Sequence, residues 1–397
     1  MVKYNKVVIF FVMFGLLFVN TEAKIITGAE QTAAYLSLIK NKKVSLVVNQ
    51  TSTIGKKHLV DSLLSLKINI QSIFAPEHGF RGDHSAGEHI QNTIDTKTGL
   101  HVISLYGAHK KPTADDLKET DIVIFDIQDV GARFYTYIST LHYVMEACAE
   151  QNKELIIFDR PNPNGHYVDG PVLDMKFQSF VGMHPVPVVH GMTIGEYAQM
   201  INGEKWLKDG IQCNLKIITM KSYTHDSLYK LPVRPSPNLP NMESVYLYPS
   251  LCFFEGTSYS LGRGTDKPFQ CVGKPGLTTG DYRFTPKSIP GIADHPPHEG
   301  KQCRGFLLDK FAMNYIQGSG KLYLFWLIDL YKNDPEKEKF FTEFFDKLAG
   351  NDQLRKDIIA GLSAGEIRGH WIKDLNHFKT IRTKYLLYPD FTFIIEE

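Results

Sequence analysis

The sequence predicts an α/β protein in which a mainly parallel β-sheet domain comes first and a smaller α+β domain follows. Apolar runs alternate with amphipathic stretches through the first half, which is typical of βα units around a parallel sheet. Near residue 245 this alternation gives way to a Pro/Asn turn cluster, short aromatic runs and a stretch rich in Pro and Gly. Because 397 residues exceed the usual size of one domain, we expect a sheet domain over residues 24–245 and a second domain over residues 246–397.

The apolar pattern also predicts the individual elements. Six strands are expected, at residues 45–48, 68–74, 101–104, 121–126, 154–158 and 215–219. Apolar side chains that recur at spacings of three and four indicate a helix over residues 136–152. In the second domain we expect helices over residues 321–332 and 335–348, and then an aromatic segment at 384–395.

The first 23 residues have the pattern of a signal peptide. Lys3 and Lys6 precede an apolar run over residues 7–19, and small residues follow it up to Ala23. An uncleaved anchor is the alternative, but it needs about 20 apolar residues, more than this run supplies. We therefore expect an exported protein, periplasmic or secreted, with no stable membrane insertion after cleavage.

Charge and cysteine content exclude several function classes. Lys and Arg number 44 against 43 Asp and Glu, so the chain has no broad positive field that would hold nucleic acid. Five widely scattered cysteines argue against a disulfide framework and against a CxxC zinc site, and buried thiols are expected instead. We predict neither a metal nor an organic cofactor. The sequence leaves the oligomeric state open.

The strongest candidate for catalysis is Glu77, in the segment FAPEHGFRG that follows the second predicted strand. Ligands of open parallel sheets bind beyond the carboxyl ends of the strands, where this segment lies. A carboxylate beside apolar surface suits a general acid, because desolvation favours its neutral form. His78 and Arg81 lie in the same loop and are candidates for substrate binding. The structural alternative is that Glu77 pairs with Arg81 or caps a helix.

A second polar segment, FDIQDVGARFYTY, follows the fourth predicted strand and contains Asp126 and Asp129. Facing Glu77 across neighbouring strands, they would supply the paired acids that glycoside cleavage requires. Alternatively one aspartate caps the next helix and the other holds Arg133. Tyr135 is suited to packing on a sugar ring, although aromatic side chains more often pack in the core.

Further binding residues are expected after the fifth strand and across the cleft. In the segment DRPNPNG, Arg160, Asn162 and Asn164 are suited to reading sugar hydroxyls or an acetamido group, although turn formation explains the same residues. Three side chains of the later segments are expected to close the cleft from the far side: Asn238, Glu255 and Arg263.

Three other motifs are not assigned the serine-hydrolase, zinc or dinucleotide sites that their residues suggest. The segment GLSAG matches G-x-S-x-G, but no strand precedes it, and Ser363 with Glu366 fits a capping box. His78, His84 and His89 lack the i, i+4 spacing of a helical zinc motif. The glycines around Arg263 lack the third glycine and the βαβ unit of a dinucleotide site.

Taken together, these segments resemble a known family. The motifs APEHGFRG, FDIQDVGARFYTY, DRPNPNG, PSPNLPN, YLYPSLCFFEGT and GRGTDKPFQ, in this order, resemble those of the bacterial exo-β-N-acetylmuramidases of the NamZ type. The resemblance runs from about residue 45 to the C-terminus and shows no departure within the motifs. It implies a Rossmann-like domain beside a smaller one, with the active site in the cleft between them.

The resemblance also implies a reaction and roles. The implied activity is the release of N-acetylmuramic acid from the non-reducing end of peptidoglycan-derived glycans, with Glu77 as the catalytic carboxylate. Asp126 and Asp129 would assist it electrostatically or direct water. The lactyl carboxylate of the sugar calls for a bidentate arginine, and Arg81, Arg133, Arg160 and Arg263 are the candidates.

Two questions stay open from the sequence. The 2-acetamido group of the sugar can serve as internal nucleophile in place of a second carboxylate, so the stereochemical course is undecided. A non-catalytic periplasmic protein that only binds muropeptides is the alternative from another class.

Overall fold

The computed structural model describes residues 23–77, 79–80 and 93–392. The predicted signal peptide lies outside them, apart from Ala23. The strands are β1 (Lys43–Val48), β2 (Thr53–Ile54), β3 (Lys57–His58), β4 (Asn69–Ala75), β5 (Thr93–Ile94), β6 (His101–Ser104), β7 (Ile122–Asp126), β8 (Glu154–Phe158), β9 (Asn214–Ile218), β10 (Cys271–Lys274), β11 (Tyr282–Phe284) and β12 (Cys303–Leu307). All six strands predicted from the sequence are confirmed to within two residues at either end.

The central sheet has seven strands in the order β5-β6-β4-β1-β7-β8-β9. All neighbours pair in parallel except the short edge strand β5, which pairs antiparallel with β6. Numbered along the chain, the six parallel strands have the order 3-2-1-4-5-6 of Rossmann folds. The order reverses between β1 and β7, and a crevice at the carboxyl ends of the strands is therefore expected beside these two strands.

The helices are α1 (Thr32–Ile39), α2 (Leu59–Ser65), α3 (Tyr137–Glu150), α4 (Ile194–Gly203), α5 (Met242–Leu251), α6 (Asp309–Phe311), α7 (Gln317–Ser319), α8 (Phe325–Lys332), α9 (Phe344–Ala349), α10 (Gln353–Ile359) and α11 (Ala364–Arg382). A π-helical turn, Ala312–Ile316, joins α6 to α7. In the part of the chain described, no helix is long and apolar enough to cross a membrane.

Apolar burial explains how the layers are held together. On one face of the sheet, Ile124 of β7 shares a cluster with Tyr35 of α1 and Leu63 of α2. On the other face, Phe125 belongs to a larger cluster that includes α3 and continues into the C-terminal helices as far as Leu375. The second part of the chain, with its antiparallel sheet β10-β12-β11, therefore shares a core with the first.

The C-terminal helices are where the sequence predictions fail. A helix was expected over residues 335–348, but only α9 and a 3₁₀ turn at Lys337–Lys339 are helical there. The intervening backbone pairs instead with a distant segment, since Ser258 donates to the Phe340 carbonyl and Thr342 to the Gly256 carbonyl, both at 2.9 Å. Tertiary pairing thus overrides the local pattern. The helix predicted over residues 321–332 begins only at Phe325.

Two further predictions are confirmed. All five cysteines are buried free thiols. Ser363 caps α11, because its hydroxyl accepts from the Glu366 amide while the Glu366 carboxylate accepts from the Ser363 amide at 2.8 Å. The G-x-S-x-G sequence around Ser363 is therefore a helix start.

Candidate active site

A cleft of about 190 Å³ opens beyond the carboxyl ends of β4 and β6 and reaches the second part of the chain. Its floor is aromatic: Tyr135 makes edge contacts with Tyr137 and Tyr248, at centroid distances of 4.9 and 5.7 Å. The Tyr135 hydroxyl donates to the Pro235 carbonyl at 2.8 Å, which holds residues 235–239 against this floor. A floor of this kind presents flat apolar surface with polar edges, which suits a sugar ring.

Glu77 reaches this cleft because of the turn that follows β4. After Ala75, the Gly79 amide donates to the Pro76 carbonyl at 3.0 Å and closes the turn. Gly79 has φ of 77°, a left-handed conformation in which glycine has no steric penalty. The turn leaves Glu77 half-buried on the cleft wall.

Two hydroxyl groups orient the Glu77 carboxylate. The Thr136 hydroxyl, one residue before α3, donates to Glu77 Oε2 at 3.1 Å. The Tyr106 hydroxyl, which follows β6, also hydrogen-bonds to Glu77. Burial, with the adjacent Glu77 charge, raises the pKa of Tyr106 to about 12, so this phenol keeps its proton at neutral pH. Glu77 is thus held by groups from two neighbouring elements.

The far wall carries a second carboxylate. Glu255 Oε1 accepts from Arg263 Nε at 2.7 Å and lies 2.5 Å from Nη2 in the same ion pair. The Arg263 guanidinium also lies 4.9 Å from the centroid of Phe269. Glu255 and Arg263 both line the cleft and a neighbouring cavity of about 310 Å³. Arg263 is therefore a fixed cation facing the space near Glu77.

Asn238 completes the far wall. Its side chain is 1% exposed, and its amide Nδ2 donates to the Ile292 carbonyl at 2.8 Å. The amide oxygen, Oδ1, is buried and has no hydrogen-bond partner within the described chain. The structure thus brings five of the predicted site residues to one cleft: Glu77, Tyr135, Asn238, Glu255 and Arg263.

Asp126 does not line the cleft. Its carboxylate forms a bidentate ion pair with Arg160, with Nε at 2.5 Å and Nη2 at 2.9 Å, and both side chains are buried. Side chains alternate along a strand, so Asp126 shares the face of Ile124, which packs toward α1 and α2. The cleft lies on the side of α3, which is the opposite face. Asp126 and Arg160 therefore satisfy each other beneath the loops.

Asp129 lies behind the aromatic floor. Its Oδ1 accepts from the Gly131 amide at 2.6 Å, whereas Oδ2 is buried and has no partner in the described ranges. Burial raises the pKa of Asp129 to about 7. Its charge contributes to raising the pKa of Tyr135 and Tyr137, which places it close to both rings. Asp129 itself is not among the residues that line the cleft.

Arg133 also has internal partners. Arg133 is fully buried and donates to the carbonyls of Pro171 and Val186 at 2.8 Å and of Leu348 at 2.9 Å. It thereby ties the sheet domain to α9. Arg133 does not line the cleft.

The two asparagines connect loops. Asn162 donates to the Met192 carbonyl at 2.9 Å, and its oxygen accepts from the Asn164 amide at 2.8 Å. The Asn164 side chain donates to the Val130 carbonyl at 2.8 Å. The Asn162 carboxamide fills the space where a Cβ of Gly131 would lie, so glycine is required there. The two asparagines thus join the loops to each other, and neither side chain lines the cleft.

Two predicted site residues, His78 and Arg81, lie outside the described residues, as do His84 and His89. Across the ranges that are described, no group of three or more His, Cys, Asp or Glu side chains is arranged to hold a metal ion. Sequence reasoning missed Tyr106 and Thr136 as partners of Glu77. Only their positions in the chain could have indicated them as partners of Glu77: Tyr106 comes two residues after β6, and Thr136 directly precedes α3.

Comparisons with known proteins bear on the whole chain. The family model for the N-terminal region of exo-β-N-acetylmuramidase NamZ matches residues 44–243, and the model for its C-terminal region matches residues 246–388. The peptidoglycan β-N-acetylmuramidase NamZ of Bacillus subtilis (strain 168) is 40% identical over 375 residues, which is 89% of each chain.

Solved structures agree with this match. A crystal structure of a DUF1343 family protein from Bacteroides fragilis NCTC 9343 is 50% identical, with a TM-score of 0.86 over 93% of this chain and 100% of that one. A second DUF1343 family protein from the same organism is 29% identical, with a TM-score of 0.78 over 92% of this chain and 99% of that one. The chain therefore belongs to the family of NamZ exo-β-N-acetylmuramidases.

Proposed function

We propose that this protein is an exo-acting β-N-acetylmuramidase that releases N-acetylmuramic acid from the non-reducing end of peptidoglycan fragments, with Glu77 as general acid or acid/base. The single observation that carries the role of Glu77 is its position in the cleft, where Thr136 and Tyr106 orient its carboxylate. Family membership supports the substrate class.

In the proposed reaction Glu77 transfers a proton to the glycosidic oxygen as the bond from that oxygen to the anomeric carbon breaks. The leaving sugar departs as a neutral alcohol. A water molecule adds its hydroxyl to the anomeric carbon and gives its remaining proton to a carboxylate of the cleft, which balances the proton that Glu77 donated. The Thr136 and Tyr106 hydroxyls hold the carboxylate in one orientation during this transfer. They come from the start of α3 and from the end of β6.

Glu255 is our candidate for the second carboxylate of the reaction. Among the described residues that line the cleft, it is the other acidic side chain, whereas Asp126 and Asp129 lie off the cleft. Its ion pair with Arg263 fixes its orientation. A carboxylate in this place would stabilise the positive charge that develops on the sugar ring, or direct water to it.

Arg263 is our candidate for reading the lactyl carboxylate. Arg133 and Arg160 donate to buried internal acceptors, while Arg263 lies on the cleft wall. Glu255 accepts from Nε and lies beside Nη2 through one oxygen, so other donors of the five-donor guanidinium can serve a second acceptor. A planar guanidinium matches a carboxylate in a bidentate manner.

We also propose that the protein is exported, to the periplasm or the medium. The proposal is supported by the charged start, apolar run and small-residue end of residues 1–23. Its substrate would meet it there, because peptidoglycan fragments arise outside the cytoplasmic membrane.

The test is the variant Glu77→Gln, assayed on a chromogenic β-N-acetylmuramide. Loss of the proton donor should lower kcat by about 10²–10⁴-fold, while the melting temperature changes little because glutamine keeps the shape of the side chain. Glu338→Gln, which changes an exposed glutamate in a distant turn, should leave both quantities unchanged.

A second measurement addresses the substrate. Purified protein is incubated with a disaccharide that ends in N-acetylmuramic acid and with one that ends in N-acetylglucosamine, and the released sugars are identified by mass. Selective release from the first is expected. Full activity of Glu77→Gln would remove Glu77 from its role, and tight binding without turnover would identify a glycan-binding protein instead.

A further inference from the structure

The buried thiol of Cys252 lies against the carboxylate of Glu255 on the far wall of the cleft. Cys252 Sγ donates to Glu255 Oε2 at 3.6 Å, and the large radius of sulfur makes this separation a hydrogen-bond distance. Cys252 is 1% exposed and, like the other cysteines, is a free thiol. The proposed function gives this thiol no role.

The local backbone explains the contact between the two side chains. Helix α5 ends at Leu251, and a 3₁₀ helix continues over Cys252–Gly256. A 3₁₀ helix has three residues per turn, so side chains at positions i and i+3 lie one above the other. Cys252 and Glu255 have this spacing. The change from α-helical to 3₁₀ geometry therefore places the thiol beside the carboxylate.

The second part of the chain holds this 3₁₀ helix in place. The Thr342 amide donates to the Gly256 carbonyl at 2.9 Å. A Cβ on Gly256 would lie 2.4 Å from Cα of Phe345, so glycine is required for α9 to pack this closely. The backbone beneath Glu255 is thus fixed, and the orientation of its carboxylate depends on the groups that contact it.

The Glu255 carboxylate has a different partner at each oxygen. Oε1 accepts from Arg263 Nε at 2.7 Å, whereas Oε2 accepts from the Cys252 thiol. The last torsion of a glutamate side chain is broad, so contacts at one oxygen leave the other oxygen able to move. A second contact at Oε2 fixes the plane of the carboxylate.

Cys252 also connects Glu255 to the aromatic floor of the cleft. The Tyr248 hydroxyl hydrogen-bonds to the thiol, and the Tyr248 ring lines the cleft. Burial, with the adjacent Glu255 charge, raises the pKa of Cys252 well above its ordinary value, so the group keeps the hydrogen that it donates. A thiolate in this place would repel the carboxylate instead.

We propose that Cys252 is a positioning residue of the reaction, whose thiol holds Glu255 Oε2 so that the carboxylate keeps one orientation toward the sugar. This inference rests on the proposed function, in which Glu255 is the second carboxylate. Cys252 acts through Glu255, because it is buried and is not among the residues that line the cleft. A thiol is a weak donor, so it orients the carboxylate and leaves its negative charge available to the sugar ring.

The test is Cys252→Ala, assayed on the chromogenic β-N-acetylmuramide. The variant removes the donor and a single heavy atom. We expect kcat to fall about three- to tenfold while KM stays within about twofold, because the orientation of Glu255 matters most when positive charge develops in the transition state. Cys252→Ser restores a donor and should recover most of the lost kcat.

Cys303→Ala is the matched control. Cys303 is also a fully buried free thiol, but its Sγ donates to the Lys301 carbonyl at 3.8 Å, and it does not contact a cleft residue through that bond. Its loss should change the melting temperature as a buried thiol does and leave kcat and KM unchanged. Wild-type kcat in folded Cys252→Ala would overturn the inference. If Cys252→Ala does not fold, Cys252→Val, which fills the same space without a donor, takes its place.

A double-variant cycle tests whether the effect of Cys252 runs through Glu255. In the Glu255→Gln background, adding Cys252→Ala should lower kcat by less than about twofold, because the carboxylate that the thiol orients is already gone. A further loss as large as that seen in the wild-type background would overturn the inference, since Cys252 would then act on the site by another route.

The two proposals fail differently. Unchanged kcat in folded Glu255→Gln would refute the role of Glu255 in the proposed function and this inference with it. A loss of kcat in Glu255→Gln, together with unchanged kcat in folded Cys252→Ala, would refute the assignment of Cys252 alone.

Discussion

The polar loops that follow β4 and β8 differ in where their side chains go. The loop after β4 turns Glu77 out to the cleft, where hydroxyl groups from two other elements meet it. The loop after β8 turns Arg160, Asn162 and Asn164 inward, onto Asp126 and onto backbone groups. Both loops carry charged residues, and both follow buried parallel strands.

The difference teaches that position at a strand end is not enough to make a binding residue. What separates the loops is whether their polar side chains line the cleft. Asp126 and Arg160 complete each other away from the cleft, whereas Glu77 lies on the cleft wall with Thr136 and Tyr106 as partners. The inward loop builds the platform from which the cleft residues are positioned.

The largest stability effect is expected for Arg160→Leu, which breaks the inward loop. It leaves the Asp126 carboxylate buried without its partner, and the free energy of unfolding should fall by about 3–5 kcal/mol. Urea unfolding measures this loss. The double variant with Asp126→Leu should recover much of the stability, because no unpaired charge remains.

The same variant tests whether the inward loop after β8 takes part in the reaction. Arg160→Leu should keep its turnover per folded molecule within about threefold of wild type, since neither side chain of the pair lines the cleft. A loss of turnover without a loss of stability would place the Asp126–Arg160 pair in catalysis.

The next largest effect on the free energy of unfolding is expected at Asp129, and it depends on pH. Its pKa is raised from 3.8 to about 7 in the folded protein, so folding takes up a proton between these values. Its contribution to stability is present at low pH and is lost as the pH rises toward 7. Relative to wild type, Asp129→Asn should therefore gain about 2–3 kcal/mol between pH 5 and pH 8.

Urea unfolding of both proteins at the two pH values measures this gain. Asp294→Asn, which changes an exposed aspartate, should show no comparable trend. A difference between Asp129→Asn and wild type that is independent of pH would mean that Asp129 is ionised throughout this range.

These contrasts also show how far sequence reasoning reaches. The strands were predictable because runs such as residues 154–158 are apolar on both faces, and the position of Glu77 followed from the end of β4. The position of the Asp126 side chain was not predictable, because its partner Arg160 lies in the loop after another strand and because strand register decides which face it occupies. The helix expected over residues 335–348 fails for a similar reason, since residues 256–258 pair with it from far away.

Arg263→Lys tests the side chains that line the cleft, in contrast to the inward loop after β8. Lysine keeps the charge but loses the planar guanidinium that matches a carboxylate. We expect the ratio of kcat/KM for a muramide over the matching glucosaminide to fall about tenfold, because only the muramide carries the lactyl group. Arg304→Lys, away from the cleft, should leave the ratio unchanged. An unchanged ratio in Arg263→Lys would assign the lactyl group to another residue.

The smallest effect is expected for Ser363→Ala. Ser363 lies in a sequence that matches the catalytic motif G-x-S-x-G, but it is the N-cap of α11. The hydroxyl accepts from the Glu366 amide and donates to its carboxylate at 2.7 Å, so its loss should cost about 1 kcal/mol of unfolding free energy. Ser363→Thr should recover most of this, while kcat stays at the wild-type value in both variants. Loss of turnover in folded Ser363→Ala would show that a side chain away from the cleft also serves the reaction, and would break the distinction drawn between cleft-lining and inward side chains.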